Sequence, residues 1–304
     1  MYSRSIHETG AFTVITMKSL ILGESGYIGK NLAQYFHLQG EDFSVPPLEN
    51  GKRIDLTSDT AVNNIDWNCD VVYMLAGLTG THKSFNNYKE FLLCSNLSLL
   101  NILDSIRKTP FRPCLVFPSS RLVYNGSEIA LTEDSEQNSN TVYAANKIAC
   151  ENYLKAYKAA FGIPYIILRL GVPYGSMVTE CYSYGTTGSF IRQAKESGVI
   201  SLYGKGDAKR TFTHVEDICM IAHLAAKNPN CRNQIFNMPG DNISLLSAAT
   251  QISRKFGASV INVSTPESDA RIETGSTIFN GDKILNLLNT SLKHQFTSWV
   301  TSTL

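Results

Sequence analysis

The stretch Lys18-Ser-Leu-Ile-Leu22-Gly23-Glu-Ser-Gly26-Tyr-Ile-Gly29 decides the fold. A short apolar run stops at a glycine, two more glycines follow at three-residue steps, and apolar residues then recur at helical spacing through Ile28, Leu32, Tyr35 and Phe36. This predicts a strand from residue 18, a tight turn, and a helix over 28–39. Such a turn suits a dinucleotide pyrophosphate. Gly23 permits the sharp turn, Gly26 lets backbone approach a phosphate, and Gly29 lets the helix pack on the strand. The free N–H groups at the helix start, around Tyr27 and Ile28, would face the negative charge. A plain turn into a helix is the bland alternative.

Outward from this unit, strands are predicted over 43–45, 70–75, 114–117, 165–169 and 234–238, with helices over 88–107, 141–161 and 211–227. The run Asp70-Val-Val-Tyr-Met-Leu75 is apolar throughout, as in a strand covered on both faces. Alternation at this spacing gives an α/β fold: an open, doubly wound parallel sheet. After Gly171 the pattern breaks into a segment rich in Gly, Ser, Thr and Tyr, with one helix around 189–197. The expected division is a dinucleotide-binding domain of 17–172 with 206–238, and a smaller α/β substrate lobe of 173–205 with 239–304. Residues 1–16 form an extension of uncertain order.

A chain of 304 residues with a net charge of +1 advertises neither nucleic acid nor an anionic surface as partner. No apolar run is long enough to span a bilayer, and residues 1–16 lack the basic start and apolar block of a secretion signal. The seven cysteines show no C-x-x-C pair, which suits reduced core thiols of a cytoplasmic protein. The histidines show no metal-ligand spacing, so no metal is expected.

The candidate chemistry lies in Tyr143-Ala-Ala-Asn-Lys147 and in Ser119-Ser120, which closes the strand predicted from residue 114. Residues four apart share a helix face, so Tyr143 and Lys147 project together. A phenol is a poor base near neutrality. An adjacent ammonium and a cationic nicotinamide would draw its pKa down and let it exchange a proton with a substrate oxygen. Ser120 would hold that oxygen in line. With fourteen tyrosines a chance Tyr-x-x-x-Lys pair is ordinary; its place at the start of a helix, one unit after the serine strand, gives it weight. The cofactor expected is NAD, with NADP left open. NAD sites place an acid at the end of the second strand, where this chain has Pro46, Pro47 and then Glu49. Lys52 and Arg53 could receive a 2′-phosphate, which Glu24 would repel.

These motifs resemble, in order and register, those of the extended short-chain dehydrogenase/reductase family, the nucleotide-sugar epimerases, dehydratases and ketoreductases. The match runs through Gly23-x-x-Gly26-x-x-Gly29, Leu75-Ala-Gly77, Ser119-Ser-Arg-Leu-Val-Tyr124, Tyr143-x-x-x-Lys147, Leu168-Arg-Leu-Gly-Val-Pro-Tyr-Gly175 and Arg210-Thr-Phe-Thr-His-Val-Glu-Asp217. The resemblance implies a Rossmann-like sheet, with Asp55 and Leu56 at the adenine and Leu75, Ala76 and Gly77 lining the cofactor cleft. It implies that Asn96 supports the central helix and cofactor, that Lys147 also bonds the nicotinamide ribose, and that Ser120 and Tyr143 are catalytic. Arg210 and Arg271 would hold the substrate pyrophosphate, and helices 88–107 and 141–161 would pair in a homodimer. His214 and Asp217 look structural.

Departures from the family narrow the reaction. The 4,6-dehydratases carry an acidic pair after the catalytic hydroxyl, and here that place is Arg121-Leu122. Reductases that also epimerise use a cysteine beside the serine and a histidine after the Tyr-Gly turn; this chain has Arg121 and Ser176-Met177. Reduction of a 4-keto nucleotide sugar is the first expectation, because the connection after the second strand is short and Val172 replaces an asparagine common in the epimerases. Epimerisation at C4 is the alternative. A dinucleotide-binding sensor or scaffold is the non-enzyme alternative, against which the retained Ser120, Tyr143 and Lys147 argue.

Overall fold

The computed structural model describes residues 17–48, 51–178 and 184–304. The extension 1–16 and Glu49 lie outside them. The strand Ser19–Leu22 lies one in from the edge of a parallel six-stranded sheet and is fully buried along its length. Across that sheet the strands run Gln234–Asn237, Tyr165–Leu170, Cys114–Ser120, Val71–Met74, Ser19–Leu22 and Phe43–Ser44. The chain leaves Ser19–Leu22 to one side for Phe43–Ser44, then returns on the other side for Val71–Met74. That reversal opens a crevice beyond Leu22 and Met74, where ligands bind in sheets of this kind.

Apolar clusters cover both faces. Tyr35, Phe36, Ile218 and Ile221 lie on one side, and Leu99, Ile102, Leu103 and Leu154 on the other. This explains the unbroken apolar strands, since each side chain of this size stabilises the fold by about 1.5–3 kcal/mol on burial. Among the described residues no helix is long and apolar enough to cross a membrane.

A second sheet of five strands joins Asp241–Ser244, Lys209–His214, Thr277–Phe279 and Ser127–Leu131, with Val172–Tyr174 beside Lys209–His214. The two sheets draw on interleaved stretches of the chain. Residues 209–214 belong to the smaller sheet, while the helix Val215–Lys227 and the strand Gln234–Asn237 serve the larger one. Ser127–Leu131 crosses from the first half to pair with Thr277–Phe279. The helix predicted over 211–227 accordingly starts later. Thr211 and Thr213 are β-branched and pair in the ladder, and His214 caps the helix by accepting from the Glu216 N–H at 3.2 Å.

The stretch 88–107 is helical but not uniform. A widened π turn, Leu93–Leu97, separates Tyr88–Leu92 from Ser98–Arg107, and the Ser98 hydroxyl donates to the Leu93 carbonyl five residues back. The helix Val142–Phe161 begins at Thr141, whose side chain accepts from the Ala144 N–H at 3.0 Å, and ends at Gly162 in the left-handed region.

Candidate active site

At Gly23 and Gly29 the turn leaves no room for a side chain. Gly23 has φ of 95°, and a Cβ there would stand 2.4 Å from the Ala76 nitrogen; a Cβ on Gly29 would stand 2.1 Å from the Gly23 carbonyl oxygen. Close backbone packing thus sets the helix start against the crevice. Among the described residues no side chain caps that helix and no acid lies in its first turn, so the positive end of its dipole faces the crevice. Beside the turn, the exposed Arg53 donates to Glu24 at 2.9 Å.

A cavity of about 710 Å³ opens from this point along the carboxyl ends of the strands. Gly26, Tyr27 and Ile28 line it, as do Leu75, Ala76, Gly77, Ser120, Tyr143 and Lys147. Two sequence-distant segments, Cys114–Ser120 and Val142–Phe161, thus bring the predicted serine, tyrosine and lysine to the cavity that holds the glycine turn. The segment 78–83, Arg121 and Tyr184 join them; sequence reasoning assigned these no role. Tyr184 stacks on Tyr27 with centroids 5.6 Å apart, and its hydroxyl pairs with Thr79 at 2.5 Å. The glycines Gly77 and Gly80 hinted at the first of these segments.

Alternation along Cys114–Ser120 separates the two serines. Ser119 donates to the buried Glu151 at 2.6 Å, and Glu151 in turn pairs with Arg169 at 2.7 Å. Ser120 and Tyr143 both line the cavity; the Ser120 hydroxyl accepts from the Leu122 N–H at 3.2 Å. The Tyr143 backbone is pinned by donation from its N–H to Ser84 at 3.2 Å. Lys147 donates to the Pro118 carbonyl at 2.7 Å and lies 4.4 Å from the Phe117 ring centroid.

The electrostatics differ from expectation. Burial pushes the Tyr143 phenol up to about 12; Ser120 and the charge of Arg121 pull the other way and do not prevail. Burial likewise draws Lys147 below its ordinary value. Lys147 is engaged with Pro118 rather than aimed at the phenol oxygen, so the phenol is a proton donor at neutral pH until a charge arrives beside it.

Seven predicted residues lie outside the cavity lining: Gly23 and Gly29, which act through the backbone turn, and Asp55, Leu56, Asn96, Arg210 and Arg271. Asp55 is exposed and accepts from Thr57, while the Leu56 carbonyl accepts from Asn101. Asn96 is buried in the π turn, its side-chain oxygen without a partner among the described residues. Arg210 is buried and donates to Glu273, Gly275 and its neighbour Lys209. Arg271 is exposed and pairs with Glu267 on its own helix. Neither arginine is presented to the cavity, because a nearby carboxylate answers each. Chain separation hid one further cluster: His214, Glu216 and His294 bring ligand-type atoms within 4.8 Å of one another. Glu216 there already pairs with His294 and Lys293, which accounts for the group as a structural contact between the start of Val215–Lys227 and the segment before Phe296–Ser302.

A turn that a Cβ would fill, an uncapped helix start and a lysine beside a tyrosine fit a nicotinamide dinucleotide. The fold and site thus define a dinucleotide-dependent oxidoreductase of the short-chain type. Residues 19–238 match the NAD dependent epimerase/dehydratase family, and the chain belongs to it. It is 24% identical to the uncharacterized UDP-glucose epimerase YtcB of Bacillus subtilis, over 74% of this chain and 77% of that one. Among solved structures it shares its fold with Pal from Bacillus thuringiensis, at a TM-score of 0.83 and 21% identity, covering 94% and 97% of the two chains. The same holds for the UDP-glucose 4-epimerase of Thermus thermophilus, solved with NAD, at 0.78 and 18%, covering 95% and 100%.

Proposed function

We propose that the protein moves hydride and proton at C4 of a nucleotide-diphosphate sugar, with 4-epimerisation as the leading reaction. The observation that carries this is that Ser120, Tyr143 and Lys147 line the same cavity as the glycine turn. The names of the relatives support epimerisation. Net reduction of a 4-ketone is the second reading, favoured by Val172 in the wall and by the short connection after Phe43–Ser44.

The cofactor, when bound, supplies or accepts the hydride. The chain's own residues handle the proton. The Tyr143 hydroxyl gives its proton to the C4 oxygen in reduction and takes one in oxidation. Ser120 holds the same oxygen so that the path stays short. Lys147 steadies the phenolate once its amine is drawn from Pro118, and Leu75, Ala76 and Leu170 keep the wall dry. The Arg53–Glu24 pair favours NAD, since the cation that would greet a 2′-phosphate is already answered.

A homodimer belongs to the same proposal. Tyr88, Leu92, Leu93 and Phe161 are large, apolar and exposed on the two helices concerned. Light scattering that finds monomer alone would remove it. The reaction is tested with a panel of 4-hydroxy and 4-keto nucleotide sugars, following the absorbance of reduced nicotinamide. Isomerised product with no net cofactor change supports the epimerase, net oxidation of added cofactor supports the reductase, and turnover of neither class sinks the proposal.

A further inference from the structure

Behind the two serines lies a buried ion pair that the proposed chemistry does not use. Glu151 is fully buried and stands one helical turn beyond Lys147 on Val142–Phe161. Its Oε1 accepts from the Ser119 hydroxyl at 2.6 Å and from Arg169 Nε at 3.0 Å, and its Oε2 accepts from Arg169 Nη2 at 2.7 Å. Arg169 is itself buried, paired with Ser119 across the neighbouring strands. Its Nη1 donates to the Tyr124 hydroxyl at 2.6 Å and to the Glu133 carbonyl at 3.0 Å, and Tyr124 donates to Asn237 at 2.6 Å. A connected network of this kind is stiff, because no member can move without stranding a buried partner.

Its position gives that stiffness a use. Two consecutive rungs lace the helix to the end of Cys114–Ser120: Lys147 donates to the Pro118 carbonyl at 2.7 Å, and one turn later Glu151 accepts from Ser119. Although Ser119 borders the cavity, its hydroxyl is engaged by Glu151, which lies outside the cavity lining. Side chains alternate along a strand, so a pull on Ser119 toward the helix leaves Ser120 turned to the other side. How the strand end sits on the helix thus sets where Ser120 stands relative to Tyr143. Glu151 reaches the lysine as well: burial draws Lys147 below its ordinary value, and the nearby Cys150 and Glu151 oppose that pull. We infer that Glu151 is a positioning residue for the proton transfer: through Ser119 it seats the strand end so that Ser120 and Tyr143 address one substrate oxygen. This rests on the C4 reading above and adds to it a residue behind the cavity wall.

The test is Ser119→Ala in the full chain with NAD present, which removes the rung and leaves the Glu151–Arg169 pair in place. Turnover of the 4-hydroxy or 4-keto nucleotide sugar that the wild type accepts should fall by roughly 10- to 100-fold, since a misplacement of about 1 Å is enough. KM and dinucleotide affinity should stay within about threefold, a split that general loosening of the fold does not give. Glu151→Ala, where thermal melts show it folded, should lose at least as much turnover, and adding Ser119→Ala to it should cost less than about a further twofold. Where it does not fold, Ser119→Ala decides alone. Turnover of Ser119→Ala within about twofold of wild type overturns the inference and leaves the C4 reading intact. So does an equal loss of turnover and dinucleotide affinity, and so does full additivity in the double variant, since Ser119 would then act at the cavity by itself. If the wild type turns over no such sugar, the C4 reading falls, and hydrogen–deuterium exchange judges the seating. Faster exchange in Ser119→Ala confined to the amides of 119–122 sustains it, and unchanged exchange there overturns it.

Discussion

The two rims of the cavity are made in different ways. On the cofactor rim, Gly23, Gly26 and Gly29 shape the site with backbone alone, from residues contiguous in the chain. On the opposite rim Arg121 lines the cavity, and behind it, from two other segments, Arg210 pairs with Glu273. Backbone sites are set by local conformation and tolerate little change of side chain. Charged sites are set by packing, and their chemistry depends on which partners the fold happens to bring. The first kind accepts a common cofactor; the second selects a particular substrate.

Tyr143→Phe cuts between the rims and should have the largest effect. Loss of the proton donor should lower turnover by about 10²–10⁴-fold. Dinucleotide affinity, measured by fluorescence titration, should stay within a few fold, because the glycine turn is untouched. A variant that loses both together would make the two rims one unit.

Glu151→Ala probes what stands behind the serines. Glu151 is buried, accepts from Ser119 and pairs with Arg169, which also donates to Tyr124. Removing one partner strands a buried guanidinium and should cost about 3–5 kcal/mol in urea unfolding. A loss under about 1 kcal/mol would mean that water reaches Arg169.

His214 tests the seam where the smaller sheet feeds the helix Val215–Lys227. Burial, with the neighbouring His294 adding, depresses its pKa from 6.5 to about 4. The unfolded chain therefore takes up this proton first as pH falls. Its contribution is intact above pH 6.5 and is lost as pH drops through about 4, amounting to roughly 3 kcal/mol. Urea midpoints from pH 7 to 4 should decline, and His214→Asn should flatten the slope.

The smallest effect belongs to a purely local feature. Thr141→Ala deletes the cap of the Val142–Phe161 helix and should cost about 1 kcal/mol, with the activity of the folded protein retained. A much larger loss would show that the cap also positions Tyr143.

Legibility followed the same division. The strand, turn and helix at 18–39 were readable because apolar period and glycine spacing are local, and the same holds for Thr141 and Gly162 at the ends of their helix. Tyr143, Lys147 and Ser120 were readable as a set because each sits at a strand end or helix start. The π turn at Leu93–Leu97 was hidden, since its apolar spacing is that of an ordinary helix. So was the strand Lys209–His214, whose apolar and β-branched residues pass equally for a helix start until the Asp241–Ser244 strand arrives to pair with them.

The amino-acid order by itself determined the open parallel sheet, the dinucleotide turn and the family, because period, glycine conformation and residue spacing act over a few neighbours. Only the tertiary structure decided that Arg210 is answered by Glu273 while Arg121 is left facing the cavity. Charge balance in a buried site depends on which distant carboxylates come within hydrogen-bonding reach, and no local pattern encodes that.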